Sequence, residues 1–394
     1  MMNEPASIYI HIPFCEKRCS YCDFNTYAGI NHLIPKYVDA ILNEIKIYGE
    51  VLGEHSPIKT IFFGGGTPSL LKNYQFEGIL NLLFKTFNCS EIQEISLEAN
   101  PGTVDLNYLN DLRNIGFDRI SFGVQSDKVK YLELMGRIHD HEGSVQAINF
   151  ARKAGFENIN IDLIYGLPDQ TLKEWEQTLN AIFSMWPQHL SLYALGVEEN
   201  TPLWTWIADG KVNSPDDDLA VSMYELAVEM LGSHGFYRYE ISNFAKLDGD
   251  KDYRCVHNLQ YWRNEPYIGI GAGAHGFINK YRTENVKTIP QYIKSLQQNH
   301  IGSNQFSPAI ENMIAIDEFT EMQETMMVGL RLVDEGVSIP QFVKRFNKSP
   351  MDVFASEIEY LLENDLLKIS RDKVITIPKN KIMVSNIVFQ KFVN

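Results

Sequence analysis

The chain has 394 residues, 44% hydrophobic and 22% charged, proportions of a folded globular protein and not of a disordered, fibrous or membrane-embedded one. With 50 Asp and Glu against 35 Lys and Arg the formal net charge is −15, which argues against nucleic acid as a partner, since binders of phosphate backbones concentrate cations. No run of 18 apolar residues occurs and Met1–Ser7 lacks the basic start of a leader, so a cytoplasmic protein without a transmembrane helix is expected.

Short β-rich runs alternate with longer helical stretches in the first half. Ser7–Phe14 reads as a strand and Tyr37–Val51 as a helix; Lys59–Gly64 and Gln75–Phe87 repeat the pair. Further strands follow at Ile95–Ala99, Arg119–Val124, Asn158–Tyr165 and His189–Leu195, separated by helices near Asp105–Ile115, Gly143–Ala154 and Thr171–Phe183. Six such units imply a parallel sheet, either open and doubly wound or part of a β/α barrel. In both, ligands sit at the C-terminal ends of the strands. After about residue 212 the alternation breaks. Pro215–Ser233 reads as a helix, Phe236–Phe244 as one strand, and Ile268–Gly276 (IGIGAGAHG) as a Gly-rich stretch suited to close backbone packing. Helices near Asp317–Leu332, Ile339–Phe346 and Met351–Asn364, then a hairpin over Leu367–Ile377, suggest a small winged-helix-like domain. The expected division is 1–212, a connecting region 213–310, and 311–394. Residues 368–394 carry six Lys or Arg and one Asp, a solvated face or a docking patch on an acidic protein.

Of five cysteines, Cys15, Cys19 and Cys22 fall within eight residues just past the first strand; Cys89 and Cys255 are isolated. An odd, crowded set is a poor disulfide framework and points to reduced thiols. Three thiolates in a tight loop suit a soft metal centre. One reading is an iron–sulfur cubane with one iron left without a protein ligand. The other is zinc, completed by His11 or Asp23. Gly64-Gly65-Gly66-Thr67-Pro68 follows the second strand, where glycines permit close approach and offer N–H groups to an anion, or simply make a tight turn. Glu98 closes the third strand and Gln125 the fourth. Asp162 sits in an otherwise apolar strand and needs a partner, Arg137 or a ligand hydroxyl.

C-x3-C-x2-C with Tyr21 before the last cysteine resembles the signature of the radical S-adenosylmethionine (SAM) superfamily. The wider run Tyr9-x-His11-Ile12-Pro13-Phe14-Cys15 is similar to the branch holding oxygen-independent coproporphyrinogen III oxidases and the HemW haem chaperones. The resemblance implies a partial (β/α)6 barrel with a small C-terminal winged-helix-like domain. It implies a [4Fe–4S] cluster on Cys15, Cys19 and Cys22 that reduces SAM to methionine and a 5′-deoxyadenosyl radical. By residue matching, SAM would be contacted by Tyr9, Gly65, Gly66, Thr67 and Glu98. Gln125, Arg137, Asp162 and, more loosely, Ala194 match positions lining SAM sites in the oxidase, including a second one.

Within the branch, the oxidase has a fourth cysteine two residues past the third, where this chain has Phe24, and an N-terminal extension that has no counterpart here. His257-Asn258-Leu259-Gln260-Tyr261-Trp262 matches the H-N-x-x-Y-W motif of HemW proteins. It makes His257 a candidate axial ligand, with Asn258, Tyr261 and Trp262 beside the porphyrin; Cys255 and His275 are rivals. The expected function is a haem chaperone built on a radical SAM core, with haem and acceptor haemoproteins as partners and oxidoreductase activity as the alternative. Homodimer formation and association with the inner face of a membrane are implied as well. The competing readings are an oxygen-independent coproporphyrinogen III oxidase and a radical SAM enzyme on another substrate.

Overall fold

The computed structural model describes residues 6–53, 56–297 and 306–393; Met1–Pro5, within the stretch read as lacking a leader, lie outside them. The chain divides into two compact units, 1–234 with 266–314, and 235–265 with 315–394. The consecutive division expected from the sequence is therefore replaced by an interleaved one. Residues 213–310 are no unit of their own: their two ends belong to the first unit and 235–265 to the second.

Six strands frame the first unit: β1 (Ala6–Ile12), β2 (Ile58–Gly65), β3 (Glu94–Ala99), β4 (Arg119–Gln125), β5 (Asn158–Tyr165) and β6 (His189–Ala194). Each pairs in parallel with the next. On its other side β1 pairs in parallel with β7 (Tyr267–Ile270) and not with β6, so the sheet stays open as a partial barrel. The Gly-rich stretch supplies β7 and opens β8 (His275–Ile278), which continues antiparallel to β9 (Tyr281–Asn285). Helices α1 (Ile34–Leu52), α2 (Asn73–Thr86), α3 (Leu106–Ile115), α4 (Val129–Met135), α5 (His141–Lys153) and α6 (Leu172–Phe183) connect the strands. Asp105, Asp140 and Thr171 cap α3, α5 and α6 by accepting first-turn N–H groups, which explains where those helices begin.

The strands alternate with period two, yet both faces are buried. Ile8, Ile10 and Ile12 are fully buried on one face of β1; Ser7 and His11, on the other, are nearly so. The polar face carries its own hydrogen bonds: Ser7 to Thr60 (2.5 Å), and Asn160 to Ser121 (2.7 Å) and His189 (2.6 Å). This polar interior sets Glu98 and Gln125 at the C-terminal ends of β3 and β4, and Asp162 within β5, above side chains that hydrogen-bond to one another.

The second unit holds helices Glu318–Gly329, Ile339–Phe346 and Ala355–Glu363. Its strands Val337–Ser338, Val374–Thr376 and Lys368–Ile369 form an antiparallel sheet, the winged-helix-like arrangement expected. Met326, Leu330, Phe342, Ile358, Leu361, Ile375 and Val388 form its core. Two element readings are corrected. Phe236–Phe244 is not one strand but the two arms of a hairpin, Phe236–Arg238 and Asn243–Asp248, because the chain turns at Tyr239–Ser242. Met351–Asn364 breaks at Phe354 into Pro350–Val353 and Ala355–Glu363.

One buried carboxylate joins distant parts of the first unit. Glu44 of α1 is fully buried; its Oε2 accepts from Gly271 N–H (3.0 Å) and Tyr292 Oη (2.6 Å). Its Oε1 accepts from Asn285 Nδ2 (3.0 Å) and Ser307 Oγ (2.7 Å). Glu44→Leu removes the acceptor from all four donors, of which Asn285 Nδ2 keeps Gly271 O. The expected loss is roughly 3–5 kcal/mol, at about 1–3 kcal/mol for each buried donor left unpaired and less where the site relaxes, read as a lower urea midpoint. A loss below about 1 kcal/mol would contradict this account.

Candidate functional site

Cys15 ends a short extension of β1, and the loop after it is held from several directions. Ser20 N–H donates to Met135 O (3.0 Å) and its hydroxyl to Leu134 O (2.7 Å), pinning the loop to the end of α4. Gly66 and Thr67 donate their N–H groups to Ile12 O (2.9 Å) and Phe14 O (2.8 Å). A Cβ on Gly66 would lie 2.6 Å from Phe14 O and 3.0 Å from Cys15 Sγ, so only glycine lets β2 pass this close. Gly65, at φ +118°, donates to Glu98 Oε2 (2.9 Å). The N–H groups of Gly65, Gly66 and Thr67 are thus spent within the protein. The triplet is a packing turn, not the anion cradle read as one option from the sequence.

The cysteines are all unpaired as thiols and line one cavity of about 460 Å³. Gly65, Gly66, Thr67, Glu98, Gln125, Arg137, Asp162 and Ala194 line the same cavity, as the strand ends predict. Tyr9 lies below it: its hydroxyl meets His11 Nδ1 (2.9 Å), and its ring stacks on Phe62. Thr67 Oγ1 donates to Cys15 Sγ (3.7 Å) and Arg137 Nη1 to Cys19 Sγ (3.3 Å), hydrogen bonds that favour sulfur as an anion. Burial pushes the Cys15 thiol up, and the Thr67 bond opposes it. His11 is committed to Tyr9 and, through Nε2, to Asn25 O (2.9 Å), which removes it as a zinc ligand. Among the described residues no three His, Cys, Asp or Glu converge to hold one metal ion.

Asp162 departs from expectation. Its partners are Ser121 Oγ (2.8 Å) and Asn160 Nδ2 (2.7 Å), not Arg137. Arg137 instead bridges Cys19 and Gly123 O (2.5 Å), and its Nε is buried without a partner. Gln125 sits on a bulge in the β4–β5 pairing at φ +68°, with Oε1 buried and unpartnered in the cavity wall. Buried polar atoms left open beside three thiols are what a polar ligand at this place would satisfy, so the residues fit a cluster with SAM on it. Sequence reasoning missed Asn100, Tyr193 and Glu198, which also line the cavity. Their positions at or just past the C-terminal ends of β3 and β6 were the available signal.

The H-N-x-x-Y-W residues lie in the second unit on a short helix, Val256–Trp262. His257 is only 1% exposed, and its Nε2 meets Tyr261 Oη at 2.9 Å with the rings edge to face. Trp262 lies under the Arg331 guanidinium (4.3 Å), and its Nε1 is buried without a partner. Asn258 is half-buried. The structure therefore does not present His257 to a ligand; it shows the satisfied buried histidine that an i, i+4 Tyr–His pair makes. Cys255 is fully buried, whereas the His275 side chain is 65% exposed.

Residues 9–182 match the model of the radical SAM superfamily, and residues 316–375 that of the HemN C-terminal domain. The chain is 36% identical over 387 residues, 98% of each chain, to heme chaperone HemW of Bacillus subtilis. The HemW of Escherichia coli is 39% identical over 274 residues, 69% of this chain and 70% of that one. The chain belongs to the HemW family. Coproporphyrinogen III oxidase (HemN) from Escherichia coli, a radical SAM enzyme, has a solved structure that superimposes with a TM-score of 0.82 at 25% identity. That match covers 98% of this chain and 90% of the oxidase. The HemW family therefore shares the oxidase's radical SAM fold, and its superfamily cofactors are a [4Fe–4S] cluster and SAM. No helix among the described residues is long and apolar enough to cross a membrane.

Burial and the nearby Asp162 push the Glu98 carboxyl from its ordinary 4.5 to about 7, and the Gly65 hydrogen bond opposes them. A folded pKa above the unfolded one means that protonation favours the fold. This contribution is full below 4.5 and is lost as pH rises through about 7. Glu98→Gln should flatten that decline in the ligand-free protein, read as melting temperatures across this pH range, while weakening SAM binding. An unchanged pH profile would refute it.

Proposed function

We propose that this chain binds haem and passes it to acceptor haemoproteins, with a cluster and SAM held in the cavity of the first unit. The observation that carries the reading is kinship over 98% of both chains with a protein named as a heme chaperone, a span that includes both units. The alternative, oxidative decarboxylation of coproporphyrinogen III, is disfavoured at Phe24. This side chain is 65% exposed and lines the cavity where the oxidase signature has its fourth cysteine.

When bound, the cluster supplies single electrons and an open iron for the amino acid end of SAM. Cys15, Cys19 and Cys22 would each hold one iron, and the Arg137 hydrogen bond would stabilise the charge on Cys19. Glu98 and Asp162 would accept hydrogen bonds from ligand hydroxyls, and Gln125 Oε1 from a donor now missing. Haem iron would reach His257 Nε2 only after the Tyr261 bond breaks. Two finer readings extend the proposal: a homodimer, and docking on a membrane surface. The second unit exposes Met383, Val384 and Ile387 next to Lys379, Lys381 and Lys391, a composition suited to an anionic lipid surface.

The test is a haem titration of anaerobically reconstituted protein in the Soret band, for wild type, His257→Ala and Tyr261→Phe. Tight stoichiometric binding is expected in the wild type. It should be lost in His257→Ala with the cluster spectrum intact and be undiminished in Tyr261→Phe. No specific binding by the wild type, or turnover of coproporphyrinogen III, would overturn the proposal.

A further inference from the structure

The Gly-rich turn between β7 and β8 lies almost 250 residues from the cysteines in sequence, yet the cysteine loop rests on it. Asn25, three residues past Cys22, donates through Nδ2 to Ala272 O (3.0 Å) and to Lys287 O (2.9 Å). Its own carbonyl receives His11 Nε2, and its Oδ1 receives Tyr27 Oη (3.1 Å). The turn admits no side chains at this contact. A Cβ on Gly273 would stand 2.4 Å from Asn25 Nδ2, and one on Gly271 would stand 2.6 Å from His11 O. From behind, the turn is fixed by Glu44 on Gly271 N–H and by Tyr37, whose hydroxyl accepts from Ala272 N–H (2.8 Å) and donates to His11 O (2.8 Å).

We infer that the Gly271–Gly273 turn is a positioning element for the cluster: through Asn25 it sets where the loop carrying Cys15, Cys19 and Cys22 stands. The inference rests on the assignment of the cluster to those three cysteines. Asn25 touches no cluster atom under that assignment and acts only through the loop, as outer-shell partners of metal ligands do. Its two acceptors come from chain that meets the cysteine loop only in the folded protein, so the geometry of the loop is not a local property of the C-x3-C-x2-C segment.

A double-mutant cycle tests it, using full-length, anaerobically reconstituted Asn25→Ala, Gly273→Ala and the double variant. The readouts are the EPR spectrum of the reduced cluster and the rate at which an iron chelator bleaches its visible absorption. Melting of the cluster-free protein is followed separately. Each single variant is expected to shift the EPR spectrum and to lose the cluster roughly 10-fold faster. The double variant should lose it little faster than Asn25→Ala alone, because the amide that the added methyl displaces is gone and only the Cβ at position 25, 3.3 Å away, remains beside it. Gly273 has φ +74°, so its substitution also lowers melting in either background; the comparison of the double variant with Asn25→Ala shows how much of the cluster loss comes from that backbone effect and not from the lost amide contact. Additive cluster losses, or an unshifted spectrum in Asn25→Ala, would overturn the inference. A Cys15→Ala, Cys19→Ala, Cys22→Ala triple variant that keeps its cluster would instead overturn the assignment beneath it.

Discussion

A loop that must hold three thiols toward one cavity cannot rely on its own backbone. Between Cys15 and Cys22, all described residues, the chain makes one internal backbone hydrogen bond, a long one from Cys22 N–H to Cys19 O at 3.3 Å. Its shape is imposed from outside. The end of α4 takes Ser20, the glycine turn after β2 takes Phe14 and Ile12, and the turn after β7 takes Asn25. Two of the three supports follow strand ends, those of β2 and β7 on either side of β1, and these hold their relative places through the sheet. The open parallel sheet is thus the condition for the loop, and the loop is the condition for the chemistry.

The polar inner face of that sheet follows from the same requirement. A barrel interior filled with branched apolar side chains would be cheaper to build, but carboxylates at its upper rim would then be desolvated with nothing beneath them. Here Asp162 stands on Ser121 and Asn160, and Asn160 stands on His189. Burial still raises both Glu98 and Asp162, so protein groups alone do not satisfy the carboxylates at the rim. A ligand supplying donors at the rim relieves what the protein alone does not.

Much of this was legible in the sequence because it is local. β5 runs over the Asn158–Tyr165 stretch read as a strand, and Asp105 and Thr171, which cap α3 and α6, open the stretches read as those helices. The cysteine spacing names the loop, and most of the matched residues do line its cavity. What could not be read depends on pairings far apart in the chain. The partner of Asp162 was sought in Arg137, the nearest cation in the motif order, but neutral groups one layer down satisfy it more cheaply than a second buried charge would. The interleaved units escaped notice because 235–265 crosses to the second unit and returns without any change in composition. Phe236–Phe244 read as one strand because a hairpin turn without Gly or Pro carries little signal, its reversal resting on Glu240 accepting from Ser242 N–H and Asn243.

The burial of His257 sets an energetic condition on any haem chemistry at the H-N-x-x-Y-W helix. An iron at Nε2 displaces the Tyr261 hydroxyl, so one hydrogen bond worth about 1 kcal/mol is lost, together with the packing that keeps the imidazole 1% exposed. The apparent affinity is the intrinsic affinity reduced by the fraction of molecules in which the helix is open. For a storage protein this would be a defect. For a carrier it has the right sign: a closed state that competes with the cargo weakens net retention, and whatever stabilises closure, including the Arg331–Trp262 stack at the end of the same helix, favours transfer over retention.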